Sequence, residues 1–194
     1  MKRLFDVVFA ITCFIAILPL FGIIALLVRI LHGSPILFLQ VRPGWQGKPF
    51  SIIKFRTMTN ACGVDGCLLP NDDRLTKFGR FLRSTSLDEL PELINIIKGE
   101  MSLVGPRPLL IGYLPLYSTE QNRRHEVKPG MTGWAQINGR NAISWEEKFT
   151  LDVWYVDNRS LWLDMKILML TVLNVFLRKD INHNDSETMP FFKG

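Results

Sequence analysis

The stretch VVFAITCFIAILPLFGIIALLV, residues 7–28, contains no charged side chain over 22 positions. About 20 such residues are needed to cross the hydrocarbon core of a bilayer. A cleaved signal peptide has a shorter apolar core followed by a site of small residues, and no such site follows Val28. The stretch therefore predicts a membrane segment.

Two features of this segment favour a helix that enters the membrane, bends and returns to the same face. Pro19 lies near its middle, where it removes a backbone donor and clashes with the preceding turn. Lys2 and Arg3 precede the stretch and Arg29 follows it, and basic residues tend to stay on the cytoplasmic side. We therefore predict a re-entrant helix over residues 1–32, with a Pro-kinked single span as the alternative.

Composition narrows the classes of partner. The 194 residues carry a formal charge of +5 and are 47% hydrophobic, with a mean hydropathy of +0.15. The positive balance suits lipid headgroups, nucleotides or nucleic acid, but no basic motif interleaved with aromatic residues indicates nucleic-acid binding. Cys13, Cys62 and Cys67 with three histidines do not form the close pairs of a zinc site, so we predict reduced thiols.

The rest of the chain predicts an α+β fold that is mostly helical. Residues 36–41 and 50–56 flank a Pro/Gly turn and predict one β-hairpin. In the predicted helix that ends at Arg83, an apolar face backed by basic residues indicates an amphipathic interfacial helix, although an ordinary surface helix fits equally well. We place one domain over residues 33–179 and a loose tail over residues 180–194. The predicted helices run from Asp72 or Asp73 to Arg83, from Leu90 to Lys98, and from Trp162 to about Lys179.

Two adjacent carboxylates, Asp88 and Glu89, stand just before a predicted helix and close to Arg83. Ser86-x-x-Glu89 is also a capping-box pattern, and acidic residues favour helix starts. By itself this segment is therefore explained by helix capping at least as well as by chemistry.

Three further clusters carry polar or charged side chains. In Gly105-Pro106-Arg107-Pro108 the prolines stiffen the segment around an arginine suited to gripping a phosphate. Residues 128–141 are rich in Gly and hydrogen-bonding side chains, and Asp152 begins an acidic and aromatic group that ends at Asp157. Carboxylates, arginines and a membrane segment together indicate phosphoryl transfer at a lipid surface.

Residues 83–93, RSTSLDELPEL, and 99–108, GEMSLVGPRP, closely resemble the bacterial sugar transferase family, also called monotopic phosphoglycosyl transferases. The similarity continues through residues 41–44, 54–58 and 128–141, and covers roughly residues 1–178. The chain is similar to the small members of the family that begin glycan assembly with an N-acetylated sugar.

The resemblance implies a two-step transfer of a phosphosugar from a UDP-sugar to polyprenol (undecaprenyl) phosphate. Asp88 is then the nucleophile that forms a covalent aspartyl-phosphosugar and releases UMP, and Glu89 is the catalytic ligand of Mg²⁺. The remaining implied site residues are Arg83 and Arg107 for phosphate, Lys54, Arg140 and Asn141 for the nucleotide, and Asp152 in support.

The implied partners are membrane lipids and downstream glycosyltransferases besides the two substrates, with no nucleic acid. The implied location is the inner (cytoplasmic) membrane, with the catalytic domain over residues 33–179 on its cytoplasmic face. Two alternatives stay open: the same chemistry with UDP-glucose or UDP-galactose, and a non-catalytic membrane adaptor of a glycan pathway.

Overall fold

A computed structural model of the protein describes residues 1–139, 143–177 and 191–194. Within them the chain is mostly helical and carries two small two-stranded sheets. The helices are α1 (Lys2–Ala16), α2 (Leu18–His32), α3 (Asn71–Arg74), α4 (Lys77–Ser84), α5 (Glu92–Lys98), α6 (Thr119–Asn122), α7 (Trp134–Ile137), α8 (Trp145–Asn158) and α9 (Leu161–Leu177). The strands are β1 (Leu37–Pro43), β2 (Pro49–Phe55), β3 (Ser102–Val104) and β4 (Gly130–Thr132).

The uncharged N-terminal stretch forms two helices that meet at Ile17 with a bend of 65°. Pro19 stands in the first turn of α2, where its missing N–H removes no helical hydrogen bond. The break therefore precedes the proline, where a single helix has to end. Among the described residues, no single helix is long and apolar enough to cross a bilayer, but the α1–α2 pair passes that test when taken together.

The start of α1 is fastened to the rest of the protein by its charged residues. Lys2 Nζ forms an ion pair with Asp164 Oδ2 at 2.5 Å. Arg3 donates hydrogen bonds to the carbonyls of Ile96 and Ile97 at 2.5 and 2.9 Å, near the end of α5. Carbonyls in the last turn of a helix lack intrahelical donors, so Arg3 also satisfies that end.

The end of α2 is fastened at His32. Its Nδ1 lies 2.9 Å from the Arg56 carbonyl oxygen, and its Nε2 lies 2.6 Å from Thr76 Oγ1. A carbonyl only accepts, so Nδ1 carries the proton and a neutral Nε2 accepts from the threonine hydroxyl. Both ends of the α1–α2 pair are thus hydrogen-bonded to the same folded body.

The predicted β-hairpin is confirmed. β1 and β2 pair antiparallel from Leu37 opposite Phe55 to Pro43 opposite Pro49, joined through a 3₁₀ turn at Trp45–Gly47. Ile52 and Phe55 are buried in two hydrophobic clusters of the core.

A second, parallel sheet of β3 and β4 was not predicted, because strands of three residues leave no periodic signal. Its backbone is exceptionally close to the segment that follows β3. A Cβ at Gly105 would lie 2.4 Å from the Lys128 carbonyl oxygen, and one at Gly130 would lie 2.1 Å from Gly105 N. A Cβ at Gly133 would lie 2.2 Å from the Gly105 carbonyl oxygen. Only glycine fits such contacts, so these three residues set the spacing of the two segments.

The continuous helix predicted from Asp72 or Asp73 to Arg83 is wrong. The chain instead forms α3, leaves helical geometry at Leu75, and begins α4 after Thr76. Leu75 is extended and bridges to Met58, while the Thr76 side chain accepts from the Gly79 backbone N–H. A tertiary contact and a threonine cap therefore replace the predicted aspartate cap.

The remaining helices agree better with prediction. α5 ends at Lys98 and is followed by Gly99 in the left-handed conformation, as the sequence indicated. α9 begins at Leu161, and its predicted end at Lys179 lies outside the described residues. α8 was not predicted; Ser144 and Glu147 form a capping box at its start.

The C-terminal segment differs in part from the loose tail predicted over residues 180–194. Residues 180–190 lie outside the described part of the chain. Phe192, however, is buried against Tyr113 and Phe149 in an aromatic cluster. Burial of an aromatic ring removes a large apolar area from water, which fixes this end of the chain.

Candidate active site

The chain turns sharply at Ser86, and this turn places the two adjacent carboxylates. Ser86 has a positive φ of 56° and is followed by a 3₁₀ turn at Leu87–Glu89. An N-cap residue has extended backbone and accepts through its side chain; Ser86 does neither. Helix capping therefore does not explain Ser86 and Glu89.

Glu89 receives two cations on one oxygen. Lys54 Nζ and Arg107 Nη2 each lie 2.6 Å from Glu89 Oε1. Burial would raise the pKa of Glu89, but the charges of Arg107 and Lys54 and their hydrogen bonds outweigh burial and lower the pKa. Glu89 is therefore ionised at neutral pH, and its second oxygen accepts no hydrogen bond from the described residues.

Asp88 is buried, with 8% of its surface exposed. Its carboxylate accepts no hydrogen bond from a described residue. Burial and the charge of Glu89 raise the pKa of Asp88 to about 6, against the opposing charges of Lys54, Arg83 and Arg107. At pH 7 roughly nine in ten molecules still carry the ionised form. A poorly solvated carboxylate without hydrogen-bond partners is a stronger nucleophile than a solvated one.

Glu92 is a site residue that the sequence analysis missed. It is 1% exposed, at the start of α5. Lys54 Nζ lies 3.2 Å from its Oε1, but the geometry is not that of a hydrogen bond and this oxygen has no hydrogen-bond partner among the described residues. Burial and the charge of Glu89 raise the pKa of Glu92. Its burial could not be foreseen, because glutamate in a first helical turn is common on surfaces.

A cavity of about 550 Å³ opens beside this cluster. Arg83, Glu89, Arg107 and Asp152 form part of its polar wall. Arg83 Nε also donates to Thr57 Oγ1 at 3.1 Å. The apolar wall includes Phe9 and Cys13 of α1 and Ile17 at the break, together with Leu103, Met131 and Leu168.

The structure brings together five of the predicted site residues. Asp88, Glu89, Lys54, Arg83 and Arg107 interact electrostatically around the turn. Lys54 forms ion pairs with the carboxylates of Glu89 and Glu92 and does not line the cavity; its contact with the nucleotide stays a prediction.

The other predicted site residues stand apart from that turn or outside the described chain. Asp152 lines the cavity from α8 and forms a buried ion pair with Arg124 Nη2 at 2.7 Å. Arg124 was missed, because a single arginine in a short basic run carries no sign of burial. Arg140 and Asn141 lie outside the described residues.

The residues at the turn can hold Mg²⁺ only with help from a substrate. Among the described residues, no group of three or more His, Cys, Asp or Glu side chains could hold a metal ion by themselves. Mg²⁺ is commonly bound by one or two carboxylates plus substrate phosphates and water. The uncommitted oxygen of Glu89 and the adjacent Asp88 fit that arrangement.

Comparison with known proteins identifies the family of the chain. Residues 1–178 match the bacterial sugar transferase family. The chain is 58% identical to an uncharacterized sugar transferase, EpsL, of Bacillus subtilis (strain 168), covering 100% of this chain and 96% of that protein. It is 42% identical to a UDP-glucose:undecaprenyl-phosphate glucose-1-phosphate transferase of Klebsiella pneumoniae, over 92% of this chain and 40% of that protein.

A third relative is an undecaprenyl-phosphate galactose phosphotransferase of Salmonella typhimurium, 39% identical over 93% of this chain. The chain spans 41% of its length, so it corresponds to one part of the longer relatives and to nearly all of the Bacillus protein. The match over residues 1–178 includes the carboxylate turn, Arg107 and the α1–α2 pair. The chain belongs to the bacterial sugar transferase family.

Proposed function

We propose that this protein transfers a phosphosugar from a UDP-sugar to polyprenol phosphate and releases UMP. The observation that carries the proposal is the position of the Asp88–Glu89 turn. Cations gather around it, and Ser86 and Glu89 line a cavity whose other wall is apolar and includes α1. Asp88 lies between these two residues and does not line the cavity itself. Such a cavity suits a reaction between a charged nucleotide donor and a lipid acceptor.

In the first step a carboxylate oxygen of Asp88 attacks the β-phosphorus of the donor. The bond from that phosphorus to the bridging oxygen breaks, and UMP leaves with the electron pair. In the second step an oxygen of polyprenol phosphate attacks the same phosphorus, the aspartyl oxygen leaves, and the Asp88 carboxylate is restored. Carboxylates serve as such nucleophiles in other phosphoryl transfers.

Arginines and a metal ion would balance the charge of the diphosphate. Arg83 and Arg107 both line the cavity, where a guanidinium can bind two phosphate oxygens at once. Mg²⁺ held by Glu89 would supply further neutralisation of the diphosphate and of the leaving UMP. Lys54 keeps Glu89 ionised and oriented, and we assign Arg140 and Asn141 to the nucleotide.

The α1–α2 pair is proposed to enter the cytoplasmic membrane from its inner face and return to that face. Lys2 and His32, at the two ends of the pair, bond to Asp164 and Thr76 of the predicted catalytic domain, residues 33–179. Two ends fastened to one body lie on one side of a bilayer. Large apolar side chains on both helices are also exposed, including Leu4, Ile15 and Ile30.

The family resemblance and the names of the relatives indicate different donor sugars. An N-acetylated sugar stays a prediction from the family resemblance. The names of the Klebsiella and Salmonella relatives specify glucose and galactose, so both belong in the same donor panel. The product would enter glycan assembly, where downstream glycosyltransferases extend the lipid-linked sugar.

UMP release tests the reaction. The protein in nanodiscs is incubated with Mg²⁺, undecaprenyl phosphate and UDP-linked N-acetylglucosamine, N-acetylgalactosamine, diacetylbacillosamine, glucose or galactose. We expect lipid-dependent UMP release with one donor, and its loss when EDTA removes the metal. Folded protein that releases no UMP with any donor contradicts the proposed reaction for these substrates.

The covalent step has its own test. With a donor labelled in the β-phosphate and no lipid, label should stay with the protein and disappear when lipid is added. Asp88→Asn should remove both labelling and turnover. Asp72→Asn is the matched control, because Asp72 is exposed on α3, and it should label normally. Labelling of Asp88→Asn at the normal level would reject Asp88 as the nucleophile.

Re-entry is tested with a protease-cleavable tag placed before Met1 in oriented vesicles. Cleavage from the cytoplasmic face is the expected result. Protection from that face, with cleavage from the opposite face, would indicate a spanning segment.

A further inference from the structure

Arg124 is a charged side chain in an unusually dry environment. Its side chain is 1% exposed, and that of its ion-pair partner Asp152 is 2% exposed. The guanidinium lies over the rings of Tyr117 and Phe149, 5.8 and 5.4 Å from their centroids. Its Nε has no hydrogen-bond partner among the described residues.

This buried ion pair is expected to contribute little to the stability of the fold. The loss of hydration of two buried ions often exceeds their attraction, so well-packed apolar pairs of similar size are frequently as stable. The incomplete hydrogen bonding of Arg124 adds to that cost. Arg124 makes two further hydrogen bonds, one to Tyr117 Oη at 3.2 Å and one to the backbone of Arg107, and the second connects it to the candidate site.

Arg124 Nη2 donates to the backbone carbonyl of Arg107 at 2.8 Å, besides its bond to Asp152. Arg107 stands between Pro106 and Pro108, and the carbonyl of Pro106 accepts from Gly130 N at 3.0 Å. The backbone is thus held on one side by β4 and on the other by Arg124. The side chain of Arg107 then reaches Glu89 Oε1 at 2.6 Å.

We propose that Arg124, held in place by Asp152, is a positioning residue that fixes the backbone of Arg107 so that its guanidinium faces Glu89 and the donor phosphates. The proposal rests on the proposed function for its catalytic consequence, but the positioning itself is a property of the protein alone. Preorganisation of this kind matters because a displacement of about 1 Å at a catalytic group can reduce a rate about 100-fold.

A double-mutant cycle separates positioning from general support of the fold. The first change is Arg124→Met with Asp152→Leu, which removes both buried charges and leaves neither ion alone. The second is Arg107→Ala. The paired change should lower kcat/KM for UMP release by about tenfold or more. The relative changes in kcat and in KM should be the same as those caused by Arg107→Ala. In the Arg107→Ala background it should have little further effect.

Arg123→Met is the matched control. Arg123 stands next to Arg124 on the same 3₁₀ helix, Arg123–Glu126. It pairs with Glu120, Glu126 and Asp157, but it is more exposed than Arg124. Surface ion pairs contribute little to stability, so this change should leave UMP release and the melting temperature almost unaltered.

An equal loss of kcat/KM in both backgrounds would overturn the proposal, because the buried pair would then act independently of Arg107. This includes the case in which Asp152 contacts the substrate directly.

A thermal cycle on the same variants needs no catalysis. Arg107→Ala should lower the melting temperature of the otherwise unchanged chain, through loss of the Glu89 contact. It should lower it less in the Arg124→Met, Asp152→Leu background, where that contact is already misaligned. If the unchanged chain releases no UMP with any donor, the proposed function fails, and this thermal cycle alone decides on positioning. Equal thermal losses in both backgrounds would reject it.

Discussion

Replacement of Asp88, the proposed nucleophile, should stabilise this protein. Asp88 is buried without a hydrogen-bond partner among the described residues, and burial raises its pKa from 3.8 to about 6. In the unfolded chain the same carboxyl ionises at its ordinary value. The folded state therefore binds more protons than the unfolded state between these two pKa values, and stability falls as the pH rises through that window.

The size of the effect follows from the shift in pKa. At about 1.4 kcal/mol per pKa unit, a shift of the Asp88 pKa from 3.8 to about 6 means that the ionised carboxylate destabilises the folded state by about 3 kcal/mol. This destabilisation is complete above pH 6 and absent below pH 4. At pH 5 about half of this difference is present. Asp88→Asn has no charge to desolvate, so it should be more stable than the unchanged chain by these amounts. A chain of this size gains about 2–4 °C per kcal/mol, which gives about 6–12 °C at pH 7.5.

The assay is thermal unfolding of both proteins in nanodiscs with EDTA, followed by intrinsic fluorescence at pH 5, 6.5 and 7.5. The difference in melting temperature should grow with pH and level off above pH 6. Asp72→Asn, at an exposed position, should show no such difference. Equal melting temperatures at pH 7.5, or a difference independent of pH, would refute the assignment of Asp88 as a desolvated carboxylate.

Three further changes probe separate parts of the structure. Because the pKa of Glu92 is raised by burial and by the charge of Glu89, its ionisation with rising pH should compete for Lys54 and lower kcat/KM for UMP release. Glu92→Gln should remove that inflection from the pH profile, and an unaltered profile would exclude Glu92 as its source. Gly79→Ala should destabilise by about 1–3 kcal/mol or more, because its Cβ would lie 1.9 Å from the Thr57 carbonyl oxygen. Gly22→Ala, with nothing within 4 Å, should leave the melting temperature equal or higher; similar losses for both would contradict the close packing at Gly79. Thr76→Ala should cost about 1 kcal/mol by loss of the α4 cap and about 1 kcal/mol or more by loss of the hydrogen bond to His32 Nε2, measured as a lower melting temperature. Thr76→Ser should retain both contacts, and equal losses for the two variants would show that the hydroxyl makes neither.

The sequence predicted those parts of the fold that local chemistry decides. The hairpin has a Pro/Gly turn between two β-prone runs, and α5 ends where Gly99 supplies a left-handed residue. The α1–α2 pair bends beside its proline. In each case the residues that set the geometry are neighbours along the chain.

The candidate site was harder to predict, because distant residues define it. Ser86 and Glu89 match a capping box, but Lys54, 35 residues earlier, and Arg107, 18 residues later, both bind Glu89. Tertiary contacts therefore override the local pattern. The burial of Glu92 and Arg124 has the same origin, since neither lies in a segment whose periodicity distinguishes an inner from an outer face.

The contact among Gly105, Gly130 and Gly133 has a consequence for engineering of donor choice. Arg107 follows the first of these glycines, and Met131 and Thr132 of the cavity wall lie between the other two. Main-chain contact therefore fixes the spacing of the two segments that carry these lining residues, whatever their side chains are. A library for directed evolution should keep the three glycines constant and vary the lining residues. The shape and polarity of those side chains would then decide which donors bind, while the spacing of the two backbone segments stays the same.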